Sequence, residues 1–364
     1  MKYSWILFLI LMTFSCQTAK IKKAAEIAEE VDRLFADYSG QRPGASVMVI
    51  KEGEVVLERN YGLADMETGR PVSSTTNFRL ASVSKQFTAM ALMQYVAQEY
   101  IDYDHRLQAI FPEFPDYGKD ITVRHLLTHR SGLVDYGLFL EEGRTDQILD
   151  LEILVHLFGE KNTLFPPGSR YEYSNTGYAV LAMVVSTLGH HSFAEEVQRN
   201  IFDPLGMQSA QVYQAESTIE ERAYGYWVGD SIVNRDHNLT SAVKGDGGVY
   251  MSISDYFLWD QALYTDELIP QEHIQQAFTP WGGGEEGYGF GWRINTVNGL
   301  KVVSHGGSST GFGTEVIRIP ELELTVVAFT NRSKRDRSLL RACQLLANRY
   351  SDGRYSLPEG ISWE

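Results

Sequence analysis

Cysteine is close to absent from this chain: Cys16 and Cys343 are its only two, too few for a disulfide framework. Positive charge is scarce as well. Against 47 Asp and Glu stand 32 Lys and Arg, a formal net charge of -15, so the surface field repels phosphate backbones and sets nucleic acid aside as a partner. No Ser/Gly stretch reads as a linker between separable domains, and no period recurs, which excludes a repeat array. What is present is ordinary for a packed enzyme: 43% hydrophobic, 22% charged and 12% aromatic residues, which excludes a disordered, collagen-like or coiled-coil chain. At roughly 150 residues per domain, 364 residues suffice for about two domains and a large core.

The apolar run from Trp5 to Phe14 is too short to span a membrane as a mature helix. With Lys2 before it and Ser15 after it, the run has the order of a secretory signal peptide. Cys16 directly after the small residue resembles a bacterial lipoprotein cleavage site. The expectation is a signal peptide over residues 1–15, a lipid on Cys16, a tether over 16–23, and a place in the periplasm or cell envelope with membrane contact through that lipid. Thr13 and Phe14 depart from the usual lipoprotein pattern, so plain export stays open.

Ile21 to Tyr38 places Ile27, Val31, Leu34 and Phe35 at helical spacing, an amphipathic helix. Ala45 to Ile50 and Val55 to Tyr61 are β-rich and separated by Lys51 to Glu54, a hairpin signal. From Ser82 to Glu99 the pattern turns helical and, over Phe87 to Val96, almost wholly apolar, which predicts a helix buried on most sides. The middle is helical: Val123 to His129, Asp146 to Phe158, Thr176 to Leu188, Phe193 to Phe202 and Asp255 to Leu263. Strand signals return at Tyr288 to Ile294, Leu300 to Ser304, Thr314 to Ile319 and Leu322 to Thr330, before a helix from Asp336 to Tyr350. The order β, α, β predicts an α/β (α+β) body in which early and late strands share one antiparallel sheet, flanked by helices, with a mostly helical insertion. The sheet lobe takes about 24–81 and 288–350, the helical lobe about 82–287, and 351–364 form a tail; neither lobe is expected to fold alone.

Ser82-Val83-Ser84-Lys85 sits where a loop becomes the buried helix. A serine there gains free amide groups and the positive end of the helix dipole, and a lysine at i+3 shares its face. Serine is a poor nucleophile until a neighbour takes its proton, and a desolvated lysine can do so. Tyr173-Ser174-Asn175 follows the turn Phe165-Pro166-Pro167-Gly168, and His305-Gly306-Gly307 ends a late strand.

In this order and spacing the three motifs resemble the serine hydrolases of the class C β-lactamase and DD-peptidase superfamily. The connectors Pro43 to Ser46, Ile121 to Leu133, Phe165 to Tyr178, Asp203 to Met207 and Gly247 to Asp255 carry the resemblance across about residues 24 to 350. It implies a β-lactamase/transpeptidase-like fold, Ser82 as the acylated nucleophile, Lys85 as its base partner and Tyr173 as proton relay. It further implies an oxyanion hole from the backbone amides of Ser82 and Ser308, and substrate contacts from Asn175, His305, Gly306 and Gly307. By position, Asp135 and Tyr136 line the cleft or belong to a solvated loop. The implied activity is hydrolysis of an amide or ester through an acyl-enzyme, on a D-amino-acid peptide, a peptidoglycan-like or an ester substrate, without cofactor or metal. A class C-like β-lactamase and a weakly catalytic penicillin-binding sensor lipoprotein are the alternatives. His305 replaces the lysine of the β-lactamase pattern, and a histidine near its reference pKa of about 6.5 is mostly neutral at pH 7, which puts efficient β-lactam turnover in doubt.

Other signals fail on context. Ser241 to Lys244 repeats the Ser-x-x-Lys spacing but runs into Gly245-Asp246-Gly247-Gly248, a loop expected near the cleft. Gly307 to Gly311 fits G-x-S-x-G, yet a strand follows and no histidine comes after His305. His125 and His129 lack the glutamate of a zinc helix and read as structural. Cys343 reads as a small core residue. Oligomeric state is not set by these features.

Overall fold

A computed structural model describes residues 26–282, 287–333 and 338–362. The segments read as signal peptide and tether, and Cys16 with them, lie outside the described residues. Helix α1 covers 26–34, followed by a hairpin of β1 (Ala45–Lys51) and β2 (Glu54–Tyr61). Glu52 and Gly53 at its tip have φ of 54° and 78°, the two positive values a tight two-residue hairpin turn requires. After the helical middle come β3 (Arg293–Val297), β4 (Leu300–Ser309), β5 (Phe312–Ile319) and β6 (Leu324–Thr330). The six form one antiparallel sheet in the order β3-β4-β5-β6-β1-β2. The last strand thus joins the first, as Val47 opposite Ala328 shows.

The sheet is covered on both sides, which explains why β1 and β6 read as continuous apolar runs. Met48, Ile50, Val327 and Phe329 point into a large core shared with the helical lobe. Val47, Val49, Val326 and Ala328, one residue out of phase, point into a second core with α1 and α7 (Ser338–Tyr350). Cys343 is fully buried in that second core.

The strand expected over Tyr288 to Ile294 is corrected. Tyr288 makes only an isolated bridge to Arg293, and the regular strand starts at Arg293. Between them the Phe290 N–H bonds to Ala277 and the Gly289 N–H to Trp292. The chain turns inward there so that Phe290 and Trp292 are buried against the helical lobe. β4 also runs five residues past its expected end, because Gly306, Gly307, Ser308 and Ser309 continue the ladder with β5.

One buried ion pair ties the lobes together. Arg318 on β5 donates to Asp260 of α6 (Ile253–Ala262) at 2.7 Å, and Thr325 of β6 donates to the same oxygen at 2.7 Å. Their side chains are 0% and 1% exposed. Removing one partner strands the other charge in the core, so Asp260→Ala is expected to cost about 3–5 kcal/mol of unfolding free energy. Urea unfolding of the two proteins measures it; a loss of about 1 kcal/mol or less, the size of a surface pair, contradicts this role.

Candidate active site

Ser82 lies in a tight turn, Ala81–Ser84, that leads directly into α2 (Lys85–Ala97). Ala81 takes a left-handed φ of 49°, a conformation that costs a residue with a side chain on the order of 1 kcal/mol. The surroundings hold it there. Leu80 donates its N–H to the carbonyl of Val249 at 2.8 Å, and Val249 donates its own to Ser84 Oγ at 3.0 Å. Ser82 stays half-buried, while α2 behind it is almost entirely enclosed.

Lys85 is 0% exposed, and its Nζ has three polar partners. Its Nζ reaches Ser82 Oγ at 3.2 Å, Asn175 Oδ1 at 2.8 Å and the Asp246 carbonyl at 2.9 Å. Asn175 is the first residue of α5 (Asn175–Gly189), capped by Ser174, and Asp246 belongs to the Gly-rich loop that the sequence placed near the cleft. These contacts hold an amine within proton-transfer reach of a serine hydroxyl.

Tyr173 precedes that cap. Its ring packs at a 34° tilt against His129, with centroids 4.2 Å apart, and its centroid lies 5.0 Å from Lys85 Nζ. His129 sets this register from both sides, accepting from the Ser174 N–H at Nδ1 (3.1 Å) and from the Glu172 N–H at its carbonyl (2.9 Å). Burial, together with the Lys85 cation, holds His129 well below the usual imidazole range, so it serves as a neutral platform. On the solvent side, exposed Arg293 lies 5.5 Å over the Tyr173 ring.

β4 closes the other wall. A Cβ on Gly307 would fall 2.4 Å from the Leu80 carbonyl and 3.1 Å from Ser82 N, so only glycine lets the strand run this close to the nucleophile's amide. His305 is 1% exposed. Its Nδ1 meets the Gly306 carbonyl at 2.7 Å, which accepts only; Nδ1 therefore carries the proton, and Nε2 accepts from the Tyr288 hydroxyl at 2.9 Å. Burial, with Lys85 adding to it, pushes the imidazole down to about 3, so His305 is neutral throughout the working pH range.

Ser82, Asn175, Tyr136 and Ser308 come together around a cavity of about 320 Å³, with Arg79 and Asp246 also in its wall. Lys85 and Tyr173 stand behind this wall, and Asp135, His305, Gly306 and Gly307 do not line it either. Asp135 is exposed and accepts from the Gly137 N–H at 2.8 Å; Gly306 lines a different cavity with Glu315. His305 instead holds Tyr288, whose ring lies 6.2 Å from that of Tyr173, and offers no free ring nitrogen. Sequence reasoning missed Tyr288, His129 as the platform for Tyr173, and the Asp246 carbonyl; only the glycine run around Asp246 gave a signal. Among the described residues no cluster of His, Cys, Asp and Glu has the arrangement of a metal site.

Comparison with known proteins gives a consistent set of likenesses. The family model described as Beta-lactamase matches residues 31–348. Penicillin-binding protein 4* of Bacillus subtilis is 31% identical over 322 residues, covering 82% of this chain and 71% of that protein. A D-aminopeptidase of Cereibacter sphaeroides is 30% identical over 295 residues, covering 79% of this chain; the chain spans 57% of that relative's length. The octameric penicillin-binding protein homologue from Pyrococcus abyssi superposes with a TM-score of 0.75 at 25% identity, over 91% of this chain and 77% of that one. The sheet with its helical lobe is the fold those structures share.

Proposed function

We propose, from the fact that this chain belongs to the beta-lactamase family, that it is a serine hydrolase cleaving amide bonds at D-amino-acid residues through an acyl-enzyme on Ser82. The observation that carries this reading is the bond from buried Lys85 to Ser82 and Asn175 at the start of α2. In its neutral form the Lys85 amine takes the Ser82 proton as Oγ attacks the carbonyl carbon. The oxyanion that forms meets the N–H groups of Ser82 and Ser308, each such donor contributing about 3 kcal/mol in acyl transfer. Tyr173, beside Lys85, gives its hydroxyl proton to the leaving amine and takes the proton held on Lys85 in its place, and water then cleaves the ester by the reverse sequence.

The cavity wall supports the substrate class. Arg79, Asn175, Asn238, Thr240 and Asp246 make it polar, which suits a short hydrophilic acyl group and not a fatty chain. A neutral His305 leaves no cation at the position where β-lactamases keep lysine, which favours slow β-lactam turnover. The names of the relatives, a penicillin-binding protein and a D-aminopeptidase, favour D-configured amides. Export with a lipid on Cys16 is part of the same proposal, supported by Lys2, the run Trp5 to Phe14 and Ser15.

The test compares D- and L-amino-acid p-nitroanilides, acetyl and palmitoyl p-nitrophenyl esters, and a fluorescent penicillin. We expect the D-anilides to exceed the L-forms by about tenfold or more in kcat/KM, the palmitoyl ester to be the poorest ester, and penicillin to label without rapid release. A preference for L-anilides or for the palmitoyl ester overturns the substrate assignment.

A further inference from the structure

The Asp246 carbonyl that holds Lys85 belongs to a loop, residues 244–248, whose position no hydrogen bond from Lys85 alone would fix. Its Gly245 carbonyl accepts from Thr88 Oγ1 of α2 at 2.6 Å, so two successive carbonyls of the loop face the helix that carries the lysine. Among the described residues, the Lys244 and Gly245 N–H groups share one side-chain acceptor. Asp150, the first residue of α4 (Asp150–Phe158), accepts from Lys244 N at 2.9 and 3.2 Å and from Gly245 N at 3.2 Å. The Asp150 side chain is buried, and nothing in the catalytic sequence above uses it.

We propose that Asp150 is a positioning residue for Lys85: its carboxylate fixes the Lys244–Gly245 backbone, so that the next carbonyl, at Asp246, aims the Lys85 amine at Ser82. This rests on the reading of Ser82 and Lys85 as nucleophile and base. The chain of contacts is short and complete. Asp150 grips the Lys244 and Gly245 N–H groups, the two peptide units that follow them in the chain present the Gly245 and Asp246 carbonyls, and these engage Thr88 and Lys85 one turn apart on α2. Displacing the loop by about 1 Å turns the amine off the Ser82 hydroxyl, a misplacement that costs on the order of 100-fold in rate.

The titratable groups around Asp150 are Lys244 and Asp246 on the loop and the phenol of Tyr136, which donates to Asp246 at 2.8 Å. Burial pushes the Asp150 carboxyl up to about 7, against the pull of the two backbone N–H groups and Lys244, while Asp246 adds to the rise. Above that pH both oxygens accept. Below it one becomes an O–H with two N–H donors before it and a single acceptor oxygen left for them.

The experiment measures the rate at which a fluorophosphonate labels Ser82 in the full chain and in Asp150→Asn, from pH 5.5 to 9, with melting followed on each protein. Asparagine keeps one acceptor oxygen but turns its NH2 towards the second N–H. We expect labelling at pH 8 to fall about 10- to 100-fold at a temperature where both proteins are fully folded, and the component of the acid limb near pH 7 to vanish. Wild-type rates and an unchanged pH profile in Asp150→Asn overturn the proposal. Should the variant not fold, amide hydrogen exchange on the wild-type chain decides. Protection of the Lys244 and Gly245 amides that changes through about pH 7 supports the strap, and exchange as free as in an exposed loop overturns it. Ser82→Ala run alongside separates the two readings, since labelling that survives in it refutes the site itself and not the strap.

Discussion

Replacing Ser82 by alanine is expected to lower turnover of a D-amino-acid p-nitroanilide by about ten-thousand- to a million-fold, the loss seen when a serine hydrolase is deprived of its nucleophile. Little else should change. Lys85 keeps its bonds to Asn175 and the Asp246 carbonyl, so the buried amine still has two acceptors. Leu80 and Ser84 continue to hold the turn through Val249, and removing one half-buried hydroxyl empties no core volume. Melting temperature should therefore match the parent's, and substrate should still bind. Turnover within about tenfold of the parent would mean that the reaction runs without Ser82.

Lys85→Ala should approach the same loss, about a thousand- to ten-thousand-fold in kcat, because the proton of Ser82 then has no acceptor in reach. Here stability should suffer too. The lysine is 0% exposed, and its removal leaves Asn175 Oδ1 and the Asp246 carbonyl without their donor. Each buried acceptor left unpaired costs about 1–3 kcal/mol. Lys85→Arg is a useful partner variant: it keeps a charge and donors but, with a guanidinium that does not deprotonate, cannot accept the proton. It should be as slow as the alanine variant. Arginine restoring more than about a tenth of the rate would show that the lysine works as a cation and not as a base.

What the sequence made legible follows from the range over which each signal acts. Ser82 and Lys85 stand three residues apart on one helix face, and the apolar run after them announces a buried helix, so their pairing is a local fact. The hairpin Ala45 to Tyr61 is local in the same sense. Tyr173, Asn175 and His305 were legible only through motif order, since nothing near them in the chain shows that they meet. The Asp246 carbonyl was not legible as a lysine acceptor: a backbone oxygen carries no residue type to read. His305 was read as neutral from its reference pKa, and the reason for a much stronger neutrality, enclosure beside Lys85 with both nitrogens engaged, exists only after folding. The run Tyr-Gly-Phe-Gly-Trp from Tyr288 alternates as a strand does, yet its aromatic residues alternate because they are packed into a turn against the helical lobe.

The most direct measurement of the central claim is peptide mapping by mass spectrometry after reaction with a fluorophosphonate. The account predicts one adduct per chain, on the peptide carrying Ser82, and none in Ser82→Ala. An adduct on Ser241, in the second Ser-x-x-Lys, or on Ser309, in the G-x-S-x-G sequence, would contradict it.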